Sequence, residues 1–265
     1  MWKVVARKFK EFYKIGSQPD FFIIGAQKCG TTSLYDFLVS ASNEIKPAAS
    51  KELQFFTEKN NRGPYFYKSL FPIFKGKCLT GEATPDYFYF HRCPKLVYDY
   101  NPEAKIIIIL RDPVQRAFSQ YSHQNYTWKT RAADPMPFSK AIREEEGRFH
   151  VDRLSKFYYD YKYYSYKSRG LYYKQLCNWL EFFERDSVHI VFLEDFNTRP
   201  DTTIRETLNF LGVRPSSRNL RFPIKNKSPD STINEADQRY LREFFREDSA
   251  KLFELLGEQP RWDLN

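Results

Sequence analysis

The segment FFIIGAQKCGTTSLYDFL, residues 21–38, constrains this chain more than any other. Four apolar residues, Phe21 to Ile24, stop at Gly25. A short loop holding Lys28 and Gly30 follows, and Thr31, Thr32 and Ser33 open a stretch with helical spacing. Strand, glycine-bounded loop and helix is the layout of an anion cradle, in which backbone N–H groups and the positive end of a helix face a phosphate. A triphosphate-binding loop reads GxxxxGK[ST], with its lysine directly after the second glycine. Here Thr31 fills that slot and the lysine sits inside the loop. The spacing keeps the cradle and drops the group that grips β- and γ-phosphates. It points to a nucleotide with a short 5′ chain and away from ATP hydrolysis.

The remaining apolar runs extend this picture. IIIIL at 106–110 and HIVFL at 189–193 read, like 21–24, as buried parallel strands, with His189 at an edge. Helical patterns at 31–40, 114–126, 171–184, 201–211 and 234–256 alternate with them. The expected fold is α/β, a P-loop-like three-layer arrangement with a central parallel sheet flanked by helices. Ligands of such sheets bind beyond the carboxyl ends of the strands, where the first loop lies. A length of 265 residues fits one domain, 1–265, with 1–20 as a basic N-terminal extension. In that extension Trp2, Val5, Phe9 and Phe12 share one face of a short basic helix, expected to pack on its own domain in preference to a membrane surface. The polar, proline-interrupted stretch 127–150 reads as a surface excursion.

Lys and Arg together number 42 against 33 Asp and Glu, so the net charge of +9 favours an anionic partner or substrate. No apolar run approaches the roughly 18–20 residues of a membrane span, and the N-terminus lacks the h-region of an export signal. The four cysteines, Cys29, Cys78, Cys93 and Cys177, have no metal spacing and read as free thiols. These features suit a cytoplasmic protein with no transmembrane segment.

Three further segments carry chemistry. In LRDPVQRAFSQYSHQ, Asp112 caps a helix with Pro113 at its first position, which leaves Arg111 at the end of a strand and Ser119 about two turns along. That pair is either a second anion site on the rim of the first loop or a surface salt-bridge residue and a helix serine. A magnesium-dependent NTPase would place an Asp where this strand ends, and Asp112 comes one residue late. In SKELQFF, Glu52 follows Lys51 and precedes Phe55 and Phe56. It is a general base held by apolar packing near the rim, or half of a solvated Lys–Glu pair. In FPIKNKSPDS, Asn226, Lys227 and Ser228 form a basic loop able to close over a nucleotide, or a plain loop. The tract FYYDYKYYSYKSRGLYY, 157–173, offers either packing tyrosines or stacking faces.

Taken in order, these segments resemble the sulfotransferases that use 3′-phosphoadenosine 5′-phosphosulfate (PAPS), above all the branch of heparan sulfate N- and O-sulfotransferases and their bacterial relatives. The resemblance runs from about Phe21 to Leu256. GAQKCGTTSLYDFL corresponds to the 5′-phosphosulfate loop, which implies binding roles for Lys28, Cys29, Gly30, Thr31, Thr32 and Ser33. SKELQFF corresponds to the segment with the catalytic glutamate, Glu52. GEATPDYF, 81–88, resembles a strand-turn reading E-K-T/S-P/A-x-Y-F, although Ala83 stands where many members carry an acceptor-side lysine. LRDPVQRAFSQY corresponds to the 3′-phosphate motif with Arg111 and Ser119, SRGLYYKQLCNWLEFF to a family helix, and the loop at Asn226, Lys227 and Ser228 to a nucleotide cover less basic than in many members. His123 matches a Y-x-H-Q context of the N-sulfotransferases and is either an acceptor-side catalytic residue or a packing histidine.

The resemblance implies in-line sulfo transfer from PAPS, as co-substrate, to a hydroxyl or amine. Glu52 would take the proton and Lys28 would steady the departing adenosine 3′,5′-bisphosphate; no metal is required. The implied acceptor is a glycan, with a small metabolite as the alternative, and no nucleic acid partner is expected. Anchored Golgi relatives leave one other location open, the Golgi lumen, if the chain is a trimmed fragment. An ATP-dependent kinase or NTPase lacks its lysine after Gly30. A nucleic-acid-binding protein would account for the charge and tyrosines but not for the cradle.

Overall fold

In the computed structural model, which describes residues 2–74, 76–127, 133–149, 161–216 and 233–263, the three apolar runs become the core of a parallel sheet. Its strands are β1 (Phe21–Gly25), β2 (Ile45–Pro47), β3 (Leu79–Ala83), β4 (Lys105–Leu110) and β5 (Val188–Phe192), in the order β2-β3-β1-β4-β5. Every pairing is parallel, with Phe21 beside Gly81 and Lys105, and Ile106 beside Val188. β1 and β4 lie inside the sheet and are buried almost throughout. This is why both read as unbroken apolar runs. β2 and β3 escaped the apolar pattern: β3 reads LTGEA, and its Thr80 and Glu82 are buried polar residues.

The molecule divides into two compact units, residues 1–110 with 178–225 and residues 111–177 with 226–265. The first contains the sheet. It also holds helix α1 (Trp2–Phe12), helix α2 (Thr31–Ala41), which follows β1, and the helix Pro200–Leu211, which packs against α2. The second is built on the helix Pro113–Ser122. Asp112 caps it by accepting hydrogen bonds from the N–H groups of Val114 at 2.8 Å and Gln115 at 3.4 Å, and Pro113 takes the first position, as expected. The expected helix 114–126 ends earlier, at Ser122, and a wider turn covers His123–Thr127.

Residues 133–149, the described part of the stretch 127–150, are not a surface excursion. Phe138, Ala141 and Ile142 are buried in one cluster with Val114, Ala117, Tyr166, Leu241 and Phe245. The i, i+3, i+4 spacing of those three residues was hidden in a polar context. The tyrosines of the 161–173 portion are largely structural: Tyr166 is fully buried and its hydroxyl bonds Gln124 Oε1 at 2.7 Å and Asp134 Oδ2 at 2.8 Å. All four cysteines are free thiols. No helix among the described residues is long and apolar enough to cross a membrane.

β5 contains one titratable group of consequence. His189 Nε2 lies 3.1 Å from Thr207 Oγ1, and its ring stacks on Phe210 with centroids 5.0 Å apart. Burial, helped by the nearby charge of Arg185, lowers its pKa from 6.5 to about 4. Below pH 6.5 the unfolded chain therefore takes up a proton that the folded one refuses, and stability falls as pH drops toward 4. Replacing His189 with Gln should flatten this limb, recovering about 2 kcal/mol of the loss between pH 7 and pH 4.5 in urea titrations.

Candidate functional site

The site in the first unit grows from the end of β1. The N–H of Ala26 donates to the carbonyl of Ile109 at 2.7 Å, tying the start of the loop to β4. The chain then turns through left-handed backbone at Lys28 (φ 67°) and Gly30 (φ 91°). A side chain at position 30 would be strained by that angle, and a Cβ there would come within 2.9 Å of Leu193 Cδ1. Lys28 holds a conformation rare outside glycine, asparagine and aspartate, a feature that gathers where geometry serves function.

The first helical hydrogen bond of α2 runs from the Leu34 N–H to the Gly30 carbonyl at 3.0 Å. The N–H groups before it have no helical carbonyl to meet, and Gly30 supplies no side chain to cap them. An anion is the natural complement of such a terminus. Thr31 and Ser33 are buried in the first turn, and Thr32 is half-buried. Cys29 is fully buried, its thiol aimed at the Gln27 carbonyl and its N–H closing a turn on Ala26, so it serves the floor of the loop.

The strap at 50–56 meets the loop at Thr32. Lys51 Nζ donates to Thr32 Oγ1, which brings an ammonium to the mouth of the cradle. The next residue, Glu52, is in left-handed backbone (φ 53°), as is Gln54 (φ 55°). Their N–H groups are spent on the turn after β3. Glu52 donates to the Ala83 carbonyl at 3.1 Å, Leu53 to Glu82 Oε2 at 3.3 Å, Gln54 to Thr84 Oγ1 at 3.5 Å and Phe55 to the Tyr87 hydroxyl at 2.9 Å. Phe55 and Phe56 are buried, and Phe55 stacks face to face on Tyr67 at 4.1 Å. The Glu52 side chain itself is exposed, so apolar packing holds the strap and not the carboxylate.

Glu82 organises this region. It is wholly buried, and besides the Leu53 N–H it accepts from Thr84 Oγ1 at 2.6 Å, from the Tyr87 hydroxyl at 2.9 Å and from the Tyr67 hydroxyl. Burial pushes its carboxyl above the ordinary value, against the pull of those donors. Tyr67 and Tyr87 are pushed well above 10, first by burial and then by the carboxylate beside them. Gln54 extends the network through Nε2 to Asp86 Oδ2 at 3.0 Å.

The second unit carries the other predicted residues. The Arg111 carbonyl accepts from the Tyr172 hydroxyl at 3.0 Å. Gly170 lies so close to Phe245 that a Cβ would sit 2.6 Å from its ring, and 3.1 Å from Pro113. The SRGLYY segment thus braces the RDP turn. Ser119 is buried, and the His123 N–H reaches back to its carbonyl, so the two share one helix face. Asn226, Lys227 and Ser228 lie outside the described residues.

The loop after β1 and the capped RDP turn lie where their motifs put them, and Glu52 lies exposed on the strap. The reach of Lys51 to Thr32 had no signal but its place beside Glu52, and the Tyr67–Glu82–Tyr87 network was not legible either. That network had no signal beyond the likeness of GEATPDYF to a known strand-turn.

A family model described as the sulfotransferase domain matches residues 18–253. The chain is 24% identical to the membrane-associated sulfotransferase kil1 of Dictyostelium discoideum over 92% of its own length and 66% of that protein. It is 34% identical to the human bifunctional heparan sulfate N-deacetylase/N-sulfotransferase 3 over 74% of its length, which is 22% of the relative. It is 26% identical to the mouse heparan sulfate glucosamine 3-O-sulfotransferase 6 over 92% of its length and 74% of that enzyme. The chain thus spans less than two thirds of the first two of these relatives. The crystal structure of a sulfotransferase from Alicyclobacillus acidocaldarius superimposes with a TM-score of 0.74 at 28% identity, covering 92% of this chain and 97% of the other.

The strap makes its own prediction. Changing Tyr87 to Phe takes the acceptor from the buried Phe55 N–H and leaves Glu82 Oε1 with the Tyr67 hydroxyl alone, at a cost of about 1–3 kcal/mol. Urea unfolding should show that loss. Amide exchange should quicken at residues 53–56 while the first turn of α2 keeps its protection.

Proposed function

The chain belongs to the sulfotransferase domain family, and from that premise we propose that it moves a sulfo group from PAPS to a hydroxyl or amine of an acceptor. The observation that carries this reading is the pairing of an uncapped, lysine-bearing loop with the Lys51–Glu52 strap, joined through Thr32. A cradle for a single terminal phosphate and a carboxylate for the acceptor meet the two needs of the reaction.

The acceptor oxygen or nitrogen forms a bond to sulfur as the bond from sulfur to the bridging oxygen of the 5′-phosphate breaks. The acceptor's proton passes to the Glu52 carboxylate. The electron pair stays on the departing phosphate, where negative charge grows. Lys28, the N–H groups that open α2 and Lys51 supply preplaced positive charge for it. In the second unit, Arg111 and Ser119 are assigned to the 3′-phosphate, with Asn226, Lys227 and Ser228 as the cover, on the strength of their motifs. His123 is assigned to the acceptor side for the same reason.

Relatives named for heparan sulfate support a carbohydrate acceptor, and the net charge of +9 supports one that is anionic. A small metabolite is the second reading. It is favoured by Ala83, which is fully buried where glycan-acting members often present a lysine.

Adenosine 3′,5′-bisphosphate should raise the melting temperature without any metal; protection by Mg-ATP alone would instead favour a kinase. In a transfer screen from PAPS across glycans and phenolic or amine metabolites, Lys28→Ala and Glu52→Gln should each lower kcat by about 100-fold or more. Turnover unchanged in Glu52→Gln would remove it as the base.

A further inference from the structure

Helix α1 is amphipathic, but its faces are reversed from what a packed helix shows. The inner face is cationic. Arg7 lies over the ring of Phe66 at 5.3 Å, Lys10 Nζ donates to the Phe71 carbonyl at 2.8 Å, and just past the helix Lys14 lies over the ring of Tyr65 at 4.9 Å. The outer face is apolar. Val5, Phe9, Phe12 and Tyr13, spaced i, i+4, i+7, i+8, are 57–80% exposed. Their rings touch only along the ridge, Phe9 to Tyr13 at 4.4 Å and Phe12 to Tyr13 at 5.1 Å.

The exposure is concentrated. Of the eight large apolar side chains found exposed among the described residues, six are these four together with Tyr65 and Ile73, which belong to the segments that hold α1. An apolar patch of this kind on an otherwise charged surface marks an interaction site.

We propose that α1 is an interfacial anchor that lays this ridge into the headgroup layer of an anionic membrane. Two observations select a bilayer over other occupants. Val5, Phe9 and Phe12 line one face of a single 11-residue helix, a row of apolar side chains that can enter a plane together. The sequence of residues 2–14 carries Lys3, Arg7, Lys8, Lys10 and Lys14 against a single Glu11, so charge would draw it to negative headgroups. At about 1.5 Å per residue an 11-residue helix reaches only half the thickness of a bilayer's apolar core, so it lies in the surface and does not cross it.

The test is co-sedimentation of the full chain with vesicles of phosphatidylcholine alone and of phosphatidylcholine with about 30% phosphatidylserine. The wild-type protein should bind the anionic vesicles, release at 0.5 M salt, and bind the neutral ones at least about tenfold more weakly. Phe9→Ser/Phe12→Ser should lower binding about tenfold or more while its circular dichroism stays that of the wild type. Lys8→Glu should weaken binding to anionic vesicles only. No wild-type binding at low salt would overturn the proposal, whatever the variants do. So would a wild-type dimer, seen by light scattering, that the double variant converts to monomer, since the ridge would then be an interface between copies.

Discussion

The backbone N–H groups of residues 52 to 55 have no helix or sheet partner within their own segment, and each is answered by the turn that follows β3. Buried donors must be satisfied, so the conformation of the strap is dictated by what residues 82–87 offer. Two of those acceptors are themselves costly to bury. Glu82 is a carboxylate with no solvent contact, tolerable because two tyrosines, a threonine and an amide point at it. The left-handed backbone at Glu52 and Gln54 is held by this network, which overrides local preference. A buried acid thus fixes the path of a strap whose own acid, Glu52, is exposed.

The loop after β1 solves a related problem with opposite means. Its positive charge is left unneutralised by any capping side chain at the start of α2, and Lys28 and Lys51 add to it. An uncapped helix start preceded by a lysine-bearing loop suits an anion. In the second unit the RDP turn is made rigid from behind, by the Tyr172 hydroxyl on the Arg111 carbonyl and by the bare backbone of Gly170 against Phe245 and Pro113. Positioning by a supporting shell is what a site needs if geometry is to carry its rate.

Helix α1 shows how little amphipathicity says about orientation. The spacing of Val5, Phe9 and Phe12 was legible, and the natural expectation was an apolar face turned inward. Cation–π contacts and one bond to a carbonyl hold the other face instead. A hydrophobic pattern specifies that two faces differ. Which of them meets the protein depends on what the rest of the fold presents, here the rings of Phe66 and Tyr65 and the carbonyl of Phe71.

From the sequence alone came the parallel α/β sheet, the anion loop with its lysine in an unusual slot, the capped RDP turn and the candidacy of Glu52. Each is written in local terms: apolar runs, glycine spacing, a cap followed by proline. The packed helix at 138–143, the strands β2 and β3, the reach of Lys51 to Thr32 and the Glu82 network were decided by tertiary structure. Lys51 and Glu82 are polar residues whose partners include ones 15 to 29 positions away, and burial turns such residues from surface groups into structural ones. Periodicity reports which side chains avoid water; it carries no record of which buried polar atoms will find each other.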